Sequence, residues 1–188
     1  MYNTMNQLPY IPYNIMKYLA LNEEMLWKLL KYNTYNALSQ PNLTFQEKMS
    51  LIWAKDEKQE NYSVFFTNLI EDAIPQSKTI MKLYKYFIST ANLYLSDVVY
   101  EFDFLYGGNM AMVEYNGVPV SRDDLLIQRV LDVLNGAYVG GVGKLQFNTQ
   151  MSRYSGVKTT IGNDKTFTGS CLYMVVQVGD DGGQDCGS

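Results

Sequence analysis

Three acidic residues are the most direct candidates for chemistry, because they recur at close spacing within one segment. Asp97, Glu101 and Asp103 share one side of an alternating pattern that spans 94–106. Carboxylates grouped in this way could bind a divalent cation or act as general acid and base. Catalytic carboxylates need partners from other elements that perturb their acidity, and the sequence identifies none. We therefore interpret these residues as the solvated face of a strand.

Two glycine-rich segments could bind a phosphate group or a calcium ion. Residues 140–143 read Gly-Gly-Val-Gly and lead through Lys144 into a strand pattern, whereas a phosphate-binding loop places its lysine and hydroxyl at the start of a helix. The segment 179–188 is rich in glycine and aspartate, but it lacks the ligand order and terminal glutamate of a calcium-binding loop. We interpret the first segment as a tight turn and the second as a flexible acidic tail.

The composition argues further against several classes of function. The chain has no histidine, so the common zinc sites and nucleophilic triads lack their usual base or ligand. Its net charge of −4 does not favour capture of nucleic acid phosphates, which requires clustered lysine and arginine. No signal peptide is visible, and no apolar run reaches the roughly 20 residues of a membrane span. We expect a non-enzymatic protein without metal or cofactor, whose Cys171 and Cys186 are free thiols.

The pattern along the chain divides it into three parts. Residues 1–60 are expected to form an N-terminal arm and helical region, 61–178 an α+β core domain, and 179–188 the flexible tail. Pro9 and Pro12 predict that the arm is irregular, because proline discourages regular structure.

Capping signals place the helices of the first part. Asn22 is expected to cap the second of three short helices, and Thr44 with Glu47 has the spacing of a capping box for the third.

From residue 62 onward the hydrophobic period changes from helical to two, which predicts strands. The expected strands are 62–66, 79–89, 94–106 and 166–178. The second and third are separated by a short turn, which predicts an antiparallel hairpin. A variable loop around Gly117 and a protruding polar loop over 149–164 are expected between the remaining elements.

The segment 121–134 predicts a capped amphipathic helix. Ser121 and Asp124 have the spacing of an N-terminal cap, and Asn135-Gly136 is a natural stop. The predicted fold class is therefore α+β, with an antiparallel β-sheet, this helix packed on its apolar face, and the N-terminal helical region beside it.

The aromatic content points to interfaces. The chain contains 16 tyrosines and 8 phenylalanines, and aromatic side chains are enriched in strands and at protein–protein contacts. Codon usage in an AT-rich genome is the alternative explanation.

In the order of these features, residues 62–178 resemble phage neck and tail-completion proteins, including tail-terminator-like subunits at the head–tail connector. The resemblance rests on VFFTNLIEDAI before two long strands, on SRDDLLIQRVLDVLNG followed by GGVGKLQF, and on TFTGSCLYMVVQV. It implies a structural virion protein that forms a homo-oligomeric ring, commonly of six or twelve subunits, around the DNA channel. Such a ring joins the portal or connector to the tail in the virion, after assembly in the bacterial cytoplasm.

These expectations name specific contacts. One long strand, 79–89 or 166–178, is expected to contact the adjacent subunit through its edge, because ring closure hides sheet edges. The candidate interface residues are Tyr84, Tyr86, Tyr173 and Met174. The loop 149–164 and the N-terminal arm are expected to contact neighbouring rings, while DNA passes without sequence-specific binding and no membrane is involved.

Two other functions stay open from the residues alone. A small protein-binding adaptor would be a stable monomer with one exposed apolar patch. A magnesium-dependent nuclease would need carboxylates that converge from several elements.

Overall fold

A computed structural model describes residues 5–53, 57–68, 77–90, 95–107, 110–147, 155–161 and 166–179. Its α-helices are α1 (Ile11–Asn22), α2 (Met25–Lys31), α3 (Phe45–Met49) and α4 (Arg122–Leu134), and short 3-10 helices span Met5–Tyr10, Ala37–Ser39 and Gln59–Asn61. Its strands are β1 (Val64–Phe65), β2 (Thr79–Thr90), β3 (Leu95–Gly107), β4 (Met112–Tyr115), β5 (Val118–Ser121), β6 (Tyr138–Val139), β7 (Gly143–Gln146), β8 (Gly156–Ile161) and β9 (Thr166–Gly179). The predicted α+β class is confirmed.

The main sheet is built on three long antiparallel strands. Among the described residues its order is β1-β2-β3-β9-β7-β6, and β8 also pairs with β9. Of the strand pairs that the structure describes in this sheet, β1 with β2 is parallel and the others are antiparallel. The predicted hairpin of β2 and β3 is confirmed, and β9, the last of these strands in chain order, pairs with β3 at the centre of the sheet.

One face of the sheet, called here the helix face, packs against α4 and the N-terminal helices. On β3 this face carries Val98, Tyr100, Phe102 and Phe104, all buried in the main hydrophobic cluster. The same cluster contains side chains of α1, α2 and α4. Both the region 1–60 and the region 61–178 therefore contribute to one hydrophobic core, while the division into these parts stays a prediction.

The opposite face of β3 is also buried, and the expectation of a solvated acidic face is wrong. Glu101 is 2% exposed and Asp103 is fully buried. The Lys82 ammonium lies 2.9 Å from an Asp103 carboxylate oxygen, so the buried charge has a partner. Alternation of apolar and acidic residues along one strand predicts that the acidic face is exposed to solvent. It cannot show that a lysine on the neighbouring strand pairs with a buried carboxylate of that face.

The N-terminal arm is more regular than expected. Pro12 lies in the first turn of α1, where a missing amide proton costs nothing, and the neighbouring Ile11 is fully buried. Asn22 ends α1 and donates to the carbonyl of Tyr18, so it does not cap α2. The carboxylate of Glu23 accepts from the first amides of α2 instead.

Other local predictions can be compared directly. The capping box of Thr44 and Glu47 is confirmed, as is the cap of α4, where the Ser121 hydroxyl accepts from the Asp124 amide.

The loop expected around Gly117 is instead the hairpin of β4 and β5, whose Asn116-Gly117 turn has positive φ at both residues. Part of the expected loop 149–164 is β8. The tail from residue 180 and the turn at 91–92 lie outside the described residues.

The buried Arg122 joins the N-terminal helices to α4. Its Nε donates to the carbonyl of Met110 at 2.8 Å. Its two other nitrogens donate to the carbonyls of Leu29 at 2.9 Å, Thr34 at 2.7 Å and Tyr32 at 3.4 Å. The last carbonyls of a helix have no hydrogen-bond donor within the helix and carry partial negative charge. A guanidinium at the end of α2 supplies both the donors and a positive charge. Burial lowers the pKa of Arg122 to about 10, which keeps it charged at neutral pH.

A second buried cation repeats this arrangement at the end of α1. The Lys48 ammonium of α3 donates to the carbonyls of Ala20 and Glu23, each at 3.0 Å, and lies 2.7 Å from a carboxylate oxygen of Glu24. The short N-terminal helices are therefore fixed at their carboxyl ends by side chains from later in the chain.

We expect Arg122→Met to lower the free energy of unfolding by about 3 kcal/mol or more, because several buried carbonyls lose their donor. Arg122→Lys keeps the charge but not the planar fork, and should recover only part of that loss. Urea denaturation measures both effects. Arg129→Met is the control, since it removes an arginine of the same helix whose partner, Asp132, is about half exposed. A loss at position 122 no larger than at position 129 would contradict this role.

Candidate subunit interface

The outer edge of β2 is the feature that most resembles an assembly surface. β1 pairs only with Met81 and Lys82. From Lys85 to Ser89, β2 pairs with no other described strand on its outer side. Unpaired strand edges present backbone donors and acceptors that can pair with another chain. Of the two strands expected to offer an edge, β2 does so, whereas β9 lies between β3 and the pair β7 and β8.

A β-bulge shapes this edge. The register with β3 shifts between Lys85 and Phe87, which leaves Tyr86 without an opposite residue. The rings of Tyr86 and Phe87 then meet edge to face with centroids 5.5 Å apart, and Tyr86 also meets the ring of Tyr173 at 4.9 Å. Tyr86 is 52% exposed, Phe87 37% and Ile88 39%, so the edge presents apolar surface to solvent.

Two clefts flank the edge, one on each face of the sheet. The polar cleft, of about 710 Å³, lies on the face opposite the helices and is lined by Phe66, Thr67, Asn68, Tyr84, Lys85, Tyr86, Glu101 and Tyr173. The apolar cleft, of about 290 Å³, is lined by Leu8, Pro9, Pro12, Phe66, Tyr84, Lys85 and Tyr100. A strand added at this edge would place alternate residues beside the two clefts.

Buried polar groups form the base of the polar cleft. The Tyr84 hydroxyl donates to the carboxylate of Asp103 at 3.2 Å, and Lys82, which pairs with Asp103, also donates to the carbonyl of Asn68. Burial raises the pKa of Tyr173, and the neighbouring Glu101 carboxylate raises it further. Tyr173 therefore stays a neutral phenol that can share its proton with that carboxylate.

The predicted interface residues fall in different environments. Tyr86 is exposed and Tyr84 is half-buried, and both line the polar cleft. Tyr173 lines the same cleft but is only 7% exposed. Met174 is fully buried in the main core, so its side chain is not available to a second folded subunit. An interface role for the three tyrosines stays a prediction.

Sequence reasoning missed two residues of this surface, Phe87 and Ile88. Strict alternation would give them opposite environments, with one of the two buried. The bulge at Tyr86 changes the phase of the strand, and both side chains end up at least one-third exposed.

The other candidate sites find little support in the described residues. No group of three or more cysteine, aspartate or glutamate side chains there is placed to hold a metal ion. The turn at 140–143 connects β6 to β7 and opens no helix, which agrees with the turn interpretation. Among the described helices, none has both the length and the apolar character of a membrane span.

Comparison with protein families gives one assignment. The YomW family model matches residues 23–176, which is most of the chain and includes α4, the β2 edge and all of the sheet except the end of β9. The chain belongs to the YomW family. The family is phage-derived, so this YomW-family chain is phage-associated. No curated protein and no solved structure matches it.

The buried ion pair of this YomW-family chain should show strong energetic coupling. We expect Lys82→Met and Asp103→Leu each to lower the free energy of unfolding by about 3 kcal/mol, because each leaves a buried charge without the opposite charge beside it. The double variant should lose less than the sum of the two by about 2 kcal/mol. Urea denaturation of the four proteins measures the coupling.

The exposed pair Lys58 and Glu60 provides the matched control, since its charged atoms lie 3.8 Å apart and the lysine is 84% exposed. The cycle Lys58→Met with Glu60→Gln should show coupling below about 0.5 kcal/mol. Equal coupling in the two cycles would show that burial does not strengthen the inner pair.

Proposed function

We propose that this chain is a structural, non-catalytic subunit of the phage head–tail interface. In this proposal, copies of the chain form a closed ring, of six or twelve subunits, around the channel that DNA traverses. The ring joins the portal or connector to tail proteins at the head–tail junction of the virion, after assembly in the host cytoplasm. The YomW assignment supports a phage setting, and the proposal adds the position and the role.

The observation that carries the proposal is the exposed aromatic edge of β2. An exposed strand edge with apolar side chains is an aggregation hazard for a protein that works alone. Native proteins usually cover or charge such edges, whereas a ring subunit buries them against its neighbour. The bulge at Tyr86 limits indiscriminate pairing, because it breaks the regular spacing that another strand would need.

The spread of exposed apolar residues favours a ring subunit over an adaptor with one patch. Besides the β2 edge, large apolar side chains are exposed on the N-terminal segment, on the β4–β5 hairpin and on β6. These are Tyr10, Tyr13, Met112, Val118 and Tyr138. A subunit that contacts two copies of itself and two neighbouring rings needs several such surfaces, and the N-terminal tyrosines keep the arm a candidate for contact with an adjacent ring.

The charge of the chain suits passage of DNA. With a net charge of −4, the chain offers few clustered cations to hold phosphate groups. Protein surfaces that bind DNA depend on such cations and on counterion release. A ring of acidic subunits would therefore let DNA slide without sequence-specific binding.

The test is assembly of variants at the β2 edge. Tyr86→Glu and Phe87→Glu should each leave a folded monomer and reduce the assembled fraction at least tenfold, because a carboxylate would be buried at the subunit contact. Light scattering gives the mass in solution, and negative-stain imaging shows any rings.

Leu21→Glu is the matched control, since Leu21 is 65% exposed near the end of α1 and lines neither cleft beside the edge. A phage from which the gene for this chain is deleted should produce heads and tails that are not joined. Supplying the wild-type chain during infection should restore joining. Restoration by Tyr86→Glu as efficient as by the wild type, or normal joining without the chain, would contradict the proposal.

A further inference from the structure

We propose that the cleft between α2 and the β4–β5 hairpin, called here the Lys28 cleft, receives an acidic side chain of a neighbouring head or tail protein. Lys28 supplies the opposite charge. The inference rests on the proposed function and deepens it, because it names the chemistry of one contact between this chain and the next component of the virion.

The Lys28 cleft is separate from the β2 edge. It has a volume of about 490 Å³ and shares no described lining residue with the two clefts at that edge. One wall is α2, which contributes Glu24 and Lys28. The other walls are the segment after α2, with Leu38 and Asn42, and the β4–β5 hairpin, with Glu114.

Lys28 is a buried cation with few partners. The residue is 9% exposed, and its ammonium donates to the carbonyl of Leu38 at 3.2 Å. An ammonium can donate three hydrogen bonds. No acidic side chain among the described residues lies within ion-pair distance of this one. A buried charge is costly unless an opposite charge and hydrogen bonds compensate it, so the cleft favours a ligand that brings a carboxylate.

Two other buried cations show how the same fold compensates a charge when the role is internal. Arg122 donates to the carbonyls of four residues, and Lys48 donates to two carbonyls and pairs with the carboxylate of Glu24. Lys28 differs from both, because it has one carbonyl and lines an open cleft.

The acidic residue that would ordinarily pair with Lys28 is engaged elsewhere. Glu24 lies four residues before Lys28, which is the spacing at which glutamate and lysine pair along a helix. One Glu24 carboxylate oxygen accepts from the Leu43 amide at 2.7 Å, and the other lies 2.7 Å from the Lys48 ammonium. The charge of Lys28 is therefore left for an acid from outside the chain.

The hairpin wall of the Lys28 cleft selects against a second acid. Glu114 is half-buried on β4 and forms no ion pair with another described side chain. A partner that placed a second carboxylate beside Glu114 would be repelled, whereas a neutral or basic neighbour would be accepted. The cleft therefore fits one acidic side chain in a segment that is not acidic throughout.

The surroundings of the cleft favour a protein partner over a small anion. Tyr35, whose carbonyl accepts from the Glu114 amide at 2.8 Å, is 49% exposed. On the hairpin, Met112 is 44% exposed and Val118 is 52% exposed. Exposed apolar groups mark interaction sites, and aromatic residues and methionine are enriched in protein interfaces. A protein would cover these side chains, and a small anion would leave them in water.

The stability of the free chain separates a binding role of Lys28 from a structural one. Lys28→Gln keeps a donor for the Leu38 carbonyl and removes a charge that has no opposite charge beside it. The urea denaturation midpoint should therefore equal or exceed that of the wild type, as expected for a residue retained for binding. Lys48→Gln is the matched control and should lower the midpoint, because it breaks the ion pair with Glu24. A midpoint of Lys28→Gln below that of the wild type would overturn the proposal.

Head–tail joining tests the contact in the virion. In a phage from which the gene is deleted, supplied Lys28→Gln should give at least tenfold fewer joined particles than the wild-type chain, because the partner's carboxylate would be buried without its opposite charge. Lys58→Gln removes the same charge from a side chain that is 84% exposed and lies outside the cleft, and it should join normally. Normal joining with Lys28→Gln would overturn the contact.

Second-site suppressors identify the occupant. A phage that carries Lys28→Gln is propagated until joining recovers, and its head and tail genes are sequenced. The recovered phage should carry a change of aspartate to asparagine, or of glutamate to glutamine, in a neighbouring head or tail protein, because a neutral amide no longer needs Lys28. Suppressors confined to this chain, or none at all, would show that the cleft does not receive such a partner.

The outcomes separate this inference from the proposed function. If the chain is required for joining but Lys28→Gln joins normally, the contact is wrong and the function stands. If joining is normal without the chain, the function is wrong, and this contact at the head–tail junction is wrong with it.

Discussion

The hydrogen bonds of Arg122 are the interaction on which the rest of the structure depends. One guanidinium contacts the end of α2, the turn that follows it, and the segment before β4. These carbonyls lie at the ends of short elements, where the backbone offers few donors, and the guanidinium that binds them is itself fully buried. Because Arg122 begins α4, and α4 packs on the sheet, the position of the N-terminal helices is fixed relative to β3 and β9. The shape of the apolar cleft, which uses residues from both regions, follows from that connection.

The same principle organises the sheet itself. A charge that is buried in a protein needs a partner, and Lys82 on β2 and Asp103 on β3 supply it to each other across the hairpin. Because the two charges of this pair compensate each other, acidic residues can be buried on the face of the sheet opposite the helices. Further along β2 the strand bulges at Tyr86 and presents aromatic rings. The exposed aromatic part of β2 therefore lies within a few residues of one buried ion pair.

Much of the fold could be predicted from local patterns. The hairpin of β2 and β3, the strand β9, the helix α4 and the capping box at Thr44 follow from period, caps and turn residues that lie within one segment. The errors arise where distant residues decide the outcome. The sequence pattern suggests that Glu101 and Asp103 face solvent, but Lys82 lies on the neighbouring strand and pairs with Asp103. Met174 looks like an interface residue in the sequence, but β9 lies at the centre of the sheet and its side chain is buried there. The Asn116-Gly117 hairpin was within reach of sequence reasoning, since that dipeptide is a strong turn signal. The bulge at Tyr86, which exposes Phe87 and Ile88, was not, because no local pattern marks it.

The central position of β9 has a consequence for the order of folding. β3 is synthesised well before β9, and Leu95 pairs with Gly179, the last residue of that strand. Until β9 emerges from the ribosome, the β3 edge of the hairpin lacks its partner strand, and Phe102 and Phe104 have no complete core to enter. Contacts of such long sequence separation form slowly, because a large loop must close first. A nascent chain that stalls before residue 166 would expose this hairpin to other chains, so rapid completion of synthesis protects the subunit from premature aggregation.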